Sequence, residues 1–217
     1  MTRRSESVVD DAGRHEFRTV SSEDLYRGAI FAVRADRVAM PGGGVARRDV
    51  VEHNGAVAIA PLDSEGKLVM VHQYRHPLGR RLWELPAGLL DVPGEDAEAT
   101  ARRELAEETG LVAAQWSVLV EAAGSPGMSD EVVRLFLARG LSTVHRPVAE
   151  GDEETDLVIR RFPVAEAMRM VFSGEIVNGV TVAGVLATHA VLAGAAAPRP
   201  VSAPWIDRPT RFAARTP

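Results

Sequence analysis

The stretch from Gly88 to Leu111, GLLDVPGEDAEATARRELAEETGL, constrains this chain more than any other. Its second half places Ala97, Thr100, Ala101, Leu105 and Thr109 at helical spacing, a stripe of small and apolar side chains. Pro93 and Gly94 break the chain ahead of it, and Gly110 is placed to cap its end. The spacing puts Glu95, Asp96 and Glu98 in the first turn. In the last two turns Glu104 and Glu108, four apart, share a face with Glu107 three from Glu104. Like charges at that spacing repel, and acids near a helix C-terminus oppose the macrodipole; each effect costs roughly a few tenths of a kcal/mol.

A divalent cation reverses that sign. Carboxylates on one rigid face suit a hard ion such as Mg2+, which takes oxygen ligands and keeps waters for a phosphate substrate. Arg103 lies four before Glu107 and can fix its rotamer. An acidic helix face by itself is more often simply solvated, and Glu98–Arg102 and Arg103–Glu107 pairs would soften this one. The complete string tips the balance.

Arg103-Glu104-Leu105-Ala106-Glu107-Glu108-Thr109-Gly110-Leu111, with Glu95 eight positions before Arg103 and Gly88 upstream, resembles the signature of the Nudix hydrolases. Six residues, Leu89 to Gly94, separate Gly88 from Glu95, one more than the family pattern carries. The departure precedes the helix and leaves the Arg-Glu-x-x-Glu-Glu spacing intact. The resemblance implies an α/β fold, a Nudix-type α/β/α sandwich with a mixed sheet. It also implies two or three Mg2+ or Mn2+ ions held by Glu104, Glu107, Glu108 and the backbone carbonyl of Ala87. Glycine at 88 lets the backbone approach such an ion closely.

Length and charge fit an enzyme of this kind. A chain of 217 residues, 46% hydrophobic and 25% charged, can bury a core without staples. A net charge of −5 gives no reason to expect a nucleic-acid partner. With no cysteine, disulfides and thiolate metal sites are excluded, and a reducing cytoplasm is the expected setting. Met1 to Glu16 has two arginines without an apolar segment behind them, so no secretory signal is expected. The six histidines show no ligand spacing for zinc.

Taken in order, residues 1–15 are polar and aperiodic and are expected to be disordered. Residues 16–53 carry strand patterning: Phe17 and Val20, Tyr26 to Ile30, and Phe31 to Met40. The Pro41–Gly44 turn and a returning strand over Val45 to His53 follow. In Nudix hydrolases that cleave ADP-ribose, a similar segment helps form an intertwined homodimer and part of the substrate pocket. The catalytic domain is expected over 54–197, with strands at Gly55–Pro61 and Leu68–Tyr74. A cationic loop, Arg75 to Arg81, comes next, with Arg80 and Arg81 expected to face solvent. The phrase Gln73-Tyr74-Arg75 resembles the family's Gln-aromatic-Arg, which implies that Arg75 contacts the nucleotide. Trp83 is expected in the core.

After the helix, strands are expected at Trp116–Glu121 and Val132–Ala138, separated by a breaker-rich loop. Pro126, sixteen residues past Gly110, is similar to the marker of ADP-ribose pyrophosphatases, as is the Ser129-Asp130-Glu131 that follows. That likeness, with the LWELPAGLLD phrase, implies Leu89, Pro126 and Glu131 (or Asp130) at the substrate. A second loop, 140–156, ends in an acidic run. Such runs are ordinarily solvated, yet attack by water on phosphorus needs a base, and a positioned carboxylate can serve. Family members carry a glutamate here; Glu154 is the first choice and Glu153 the second, with Glu107 beside them.

A strand is expected over Leu157–Phe162 and a helix over Val164–Phe172, ended by Gly174. Val180 to Ala197 is apolar enough to test against a membrane span, but its Thr181, Thr188 and His189 favour a buried core helix. Residues 198–217 form a Pro/Arg-rich tail, with Trp205 expected to be tucked onto the surface. The expected activity is metal-dependent hydrolysis of ADP-ribose to AMP and ribose 5-phosphate by a homodimer, with a small nucleotide as substrate and no membrane. The alternatives are another nucleoside diphosphate derivative (a nucleotide sugar, NADH, a dinucleoside polyphosphate), an oxidised nucleoside triphosphate, a non-catalytic ADP-ribose sensor, or an acidic helix that binds no metal.

Overall fold

The computed structural model describes residues 16–92, 94–146 and 156–215. Residues 1–15 and the two base candidates, Glu153 and Glu154, lie outside the described residues.

Three antiparallel strands open the chain: β1 (Thr19–Arg27), β2 (Phe31–Ala39) and β3 (Val45–His53), in the order β1-β2-β3. Gly28 to Ile30, expected inside a strand, is instead the turn between β1 and β2. Next come β4 (Ala56–Pro61), β5 (Lys67–Arg75), β6 (Arg80–Glu84) and β7 (Ala87–Leu89). The expected 75–81 loop contracts to a single 3-10 turn over His76–Leu78, closed by Gly79 in the left-handed region. Arg80 and Arg81 therefore sit on a strand, across from Arg75 and Tyr74. Helix α1 (Ala97–Thr109) leads into the long hairpin β8 (Leu111–Ala123) and β9 (Val132–Thr143). Both strands outrun the apolar cores by which the sequence marks them, because their outer ends are held by mutual pairing, as at Leu111 opposite Thr143. Strand β10 (Val158–Pro163), helix α2 (Val164–Ser173) and helix α3 (Gly179–Leu192) complete the elements used here.

A four-stranded sheet of order β7-β4-β9-β8, in which β4 and β9 run parallel, forms the centre. Alternation along β4 divides the core. Val57 and Ile59 pack with Ala101 and Leu105 of α1 and with Phe136. Ala58 and Ala60 face the opposite way, toward Met70, Leu135, Leu137 and Val185, on the side of α2 and α3. The expected α/β/α sandwich with a mixed sheet is present. A second sheet of order β10-β5-β6 contributes Val69 to one cluster and Met70 to the other.

Helix α3 is shorter than the apolar run suggests and buries one face only, through Thr181, Gly184, Val185 and Thr188. Asn178 caps it by accepting from Thr181 N at 2.9 Å, and Thr181 Oγ1 in turn accepts from Leu85 N at 3.0 Å. Close packing, not length, drives its apolar composition: a Cβ on Gly184 would lie 2.4 Å from Leu85 Cδ1. No helix among the described residues is long and apolar enough to cross a membrane.

The tail packs back onto the sheets. Arg199 pairs with Val118 as a bridge on the β8 edge, and Phe212 is buried. Trp205 sits beneath the Arg134 guanidinium, 4.9 Å from its ring centroid. Arg215 reaches back to Glu52 and Asp24 of the first sheet. Long-range ion pairs and ring contacts hold this Pro/Arg-rich segment in place.

Candidate active site

Helix α1 begins two residues later than the acidic sequence suggests. Asp96 is its cap, accepting from Ala99 N at 2.8 Å, so Glu95 lies outside the helix. Thr100 Oγ1 donates to Glu95 at 2.9 Å, which folds the carboxylate back along the helix toward Arg103. Arg103 then binds three acids. Its Nη2 and Nε meet Glu95 at 3.0 and 3.3 Å, and its Nη1 meets Glu104 at 2.7 Å and Glu107 at 2.9 Å. The expected Arg103–Glu107 and Glu98–Arg102 pairs are both formed.

One guanidinium affects its partners unequally. Its hydrogen bond holds Glu95 below the usual carboxylate range, and the same bond is the largest effect raising Arg103. Glu104 moves the other way, up to about 7. Burial is the main cause; the Glu107 and Asp91 charges add to it, and Arg103 opposes without prevailing. The difference lies in what covers each acid. Glu104 packs against β7 so tightly that a Cβ on Gly88 would stand 2.0 Å from its Cδ. Glycine at 88 is therefore required by the carboxylate itself.

Glu108, 7% exposed, completes the contact: its Oε2 accepts from Ala87 N at 3.1 Å. Strand β7 is in turn fixed by pairing Ala87, Gly88 and Leu89 with Ala58, Val57 and Ala56. Beyond the helix end, Arg146 Nε donates to the Glu107 carbonyl at 2.8 Å, where a cation offsets the helix dipole. The sequence pattern gave no sign of Arg146.

Oxygen donors only, on a rigid helix and an adjoining strand, match the chemistry of a hard divalent cation. Among the described residues no three acidic or histidine side chains converge closely enough to hold an ion. Arg103 Nη1 bridges Glu104 and Glu107, so both carboxylates would meet a cation by releasing that nitrogen. Glu95 keeps the other side of the guanidinium engaged meanwhile. Glu104, buried and only partly compensated by Arg103, carries a charge that a cation would offset, and an all-oxygen donor set is chemically suited to one once Arg103 is displaced.

The remaining site candidates separate into two places. Arg75 lies at the end of β5 and pairs with the buried Glu84, Nη2 to Oε2 at 2.7 Å, with Gln73 donating to the same oxygen at 3.0 Å. Trp83 stacks on His72 at 4.5 Å and meets Phe162 edge-on, which makes it a packing residue. Pro126 and Glu131 line a separate cleft of about 660 Å³ together with Arg34 and Asp130. Leu89 is not among the residues lining it; it pairs across from Ala56. Asp130 accepts from His53 N at 2.9 Å, and Glu131 Oε1 lies 3.3 Å from His53 Nδ1. The cleft is thus tied to β3 of the first sheet, a link that no local spacing could announce.

Comparison with known proteins agrees with this arrangement. Residues 52–178 match the NUDIX domain, and residues 17–51 match the nucleoside diphosphate sugar hydrolase N-terminal domain. The chain is 60% identical over 201 residues to an ADP-ribose pyrophosphatase of Mycobacterium tuberculosis, covering 93% of this chain and 97% of that one. It is 38% identical over 171 residues to a methanol dehydrogenase activator of Bacillus methanolicus, covering 78% and 91%. A crystal structure of an ADP compounds hydrolase has the same fold, with a TM-score of 0.70 at 22% identity, covering 83% of this chain and 96% of that one. With its signature helix folded against Ala87 and Gly88 and more than half its length matched, the chain belongs to the NUDIX domain family of hydrolases.

Proposed function

We propose that this pyrophosphohydrolase cleaves ADP-ribose to AMP and ribose 5-phosphate with Mg2+ or Mn2+. The observation that carries the substrate is the 60% identity, over nearly the full length of both chains, to a protein named for that activity. The observation that supports the chemistry is the α1 face on which Glu104 and Glu108 pack against β7, with Glu107 held beside them by Arg103.

Glu104, Glu107, Glu108 and the Ala87 carbonyl would hold the cation. When bound, it neutralises diphosphate charge and lowers the pKa of the attacking water. Arg103, clamped by Glu95, keeps Glu104 and Glu107 in register and would have to release them to a bound cation. Arg75, half-exposed beside its Glu84 pair, would grip a phosphate oxygen. Leu89, at the end of β7, would bound the substrate next to Ala87. Pro126 and Glu131 would contact the ribose or its phosphate from their cleft. Glu154, or failing it Glu153, would take the proton from water, with Glu107 beside it.

We assign residues 16–53 to a dimerisation and pocket segment, 54–197 to the catalytic domain and 198–217 to the tail. All nine residues of β1 are exposed, Val20, Leu25 and Tyr26 among them. An edge strand with apolar side chains and no buried face is completed by a second chain, and a homodimer supplies one. Sedimentation of Leu25→Asp against the wild type tests this: the variant should dissociate at concentrations where the wild type does not. The cytoplasm, which the lack of cysteine suits, is the compartment we assign.

AMP release from ADP-ribose with Mg2+ decides the main reading, run for the wild type and Glu108→Gln together. We expect wild-type turnover and a loss on the order of 10²–10³-fold in the variant. Survival of activity in Glu108→Gln would overturn the metal helix. Turnover of a different nucleoside diphosphate derivative, without ADP-ribose cleavage, would keep the class and replace the substrate.

A further inference from the structure

A second cleft, of about 540 Å³, lies near the start of β5, at the opposite end of that strand from Arg75. Arg139 and Ser142 of β9, Arg161 of β10, Ser64 of the β4–β5 turn and Leu192 at the end of α3 line it. Nothing in the proposed reaction uses any of them.

The polar groups here are unevenly matched. Asp63 is saturated: its Oδ1 accepts from Glu65 N and Lys67 N, both at 2.9 Å, and its Oδ2 accepts from Arg161 Nη1 at 2.9 Å. Glu65 is taken by Lys67. Arg139 is different. Its Nε is buried and has no hydrogen-bond acceptor among the described residues. A buried donor left unpaired costs roughly 1–3 kcal/mol, so native structures almost always supply a partner. The C-terminal end of α3 favours a positive charge nearby but does not accept from that nitrogen. With Lys67 matched to Glu65 and Arg161 to Asp63, Arg139 leaves one positive charge over among the described residues lining the cleft.

We propose that this cleft binds a small oxyanion of the phosphate-monoester class between the Arg139 and Arg161 guanidiniums. Arg presents a fork of donors suited to such oxygens. Arg161 spends Nη1 on Asp63, and its other guanidinium donors would be the ones to meet a ligand. Ser142, also on β9, and Ser64, on the β4–β5 turn, line the same cleft. Donors spread over β9, β10 and a turn surround a tetrahedral group better than a planar carboxylate. The bound anion would join the end of β9 to the β4–β5 turn and to α3.

The test is an amide NMR titration of the full chain with inorganic phosphate in metal-free buffer, with acetate in parallel. The signature helix cannot contribute through a metal under these conditions, and the readout is independent of hydrolysis. We expect saturable shifts at Ser64, Gly66 and Ser142, weakened roughly tenfold or more in Arg139→Gln and in Arg161→Gln. Arg139→Lys, which keeps the charge but loses the fork, should be intermediate. Without phosphate, Arg139→Gln should melt at or above the wild-type temperature, since it removes an unpaired donor. With phosphate, only the wild type should gain. Absence of saturable shifts, or equal shifts in Arg139→Gln, would overturn the site. Acetate binding as tightly as phosphate would overturn the ligand class.

Discussion

Helix α1 meets its site partners through short stretches of chain, whereas the β1–β3 sheet is held by contacts from the other end of the molecule. Gly88, Glu95, Arg103, Glu104 and Glu108 all fall within the signature, and their contacts explain one another. In the first sheet, Arg34 pairs with Asp36 and Glu52, and the fully buried Glu52 also takes Arg215, 163 residues away. The catalytic face is therefore encoded locally and should tolerate change elsewhere. The sheet depends on the tail.

The sharpest break of that comparison is at Gly88. Gly88→Ala should lower turnover by roughly 10–100-fold, because the new Cβ takes the position of the Glu104 carboxyl. The β1–β3 sheet should be undisturbed, which far-ultraviolet circular dichroism and hydrogen exchange can check. An equal loss of protection in both regions would mean that they are not separable.

Arg215→Ala probes the other side. It strips one partner from a buried carboxylate while Arg34 remains, so a loss of about 2–3 kcal/mol is expected in chemical denaturation. Hydrogen exchange should quicken across β1–β3 and leave α1 unchanged. Uniform loosening of the whole chain would argue against a sheet held chiefly by the tail.

The smallest effect concerns pH without metal. Glu104 titrates above its ordinary range, near 7, so its favourable contribution is complete below about 4.5 and is lost as pH rises toward about 7. Metal-free protein should lose on the order of 1–2 kcal/mol across that window, and Glu104→Gln should flatten the curve. Glu95 has the opposite sign. Its folded pKa is depressed, so its contribution is present above about 4.5 and disappears as pH falls through the lower folded value. A wild-type urea midpoint that rises from about pH 5 to about pH 7 in chelator would contradict the burial assigned to Glu104.

Much of this was legible in the chain. The stripe that periodicity marks on α1 matches its buried residues Thr100, Ala101, Leu105 and Thr109, because a helix on a sheet must bury one face. Breakers marked the turns at Gly42–Gly43 and Gly66, since the left-handed backbone there favours glycine. Arg80 and Arg81 were not legible as strand residues: charges suggest a loop, and only pairing with β5 draws them into a sheet. Nor was the burial of Glu108, an acid whose four-residue spacing from Glu104 looks the same whether it faces water or β7.

By itself the sequence determined the α/β framework, the helix with its acid face and the arginine that braces it, because each rests on periodicity or on groups a few residues apart. Tertiary structure alone decided that Glu95 lies outside the helix, that Glu104 is pressed against Gly88, and that the tail returns to Glu52. Those outcomes depend on which surfaces exclude water from which charges. Burial of that kind is set by residues brought together from across the chain, and no local spacing carries it.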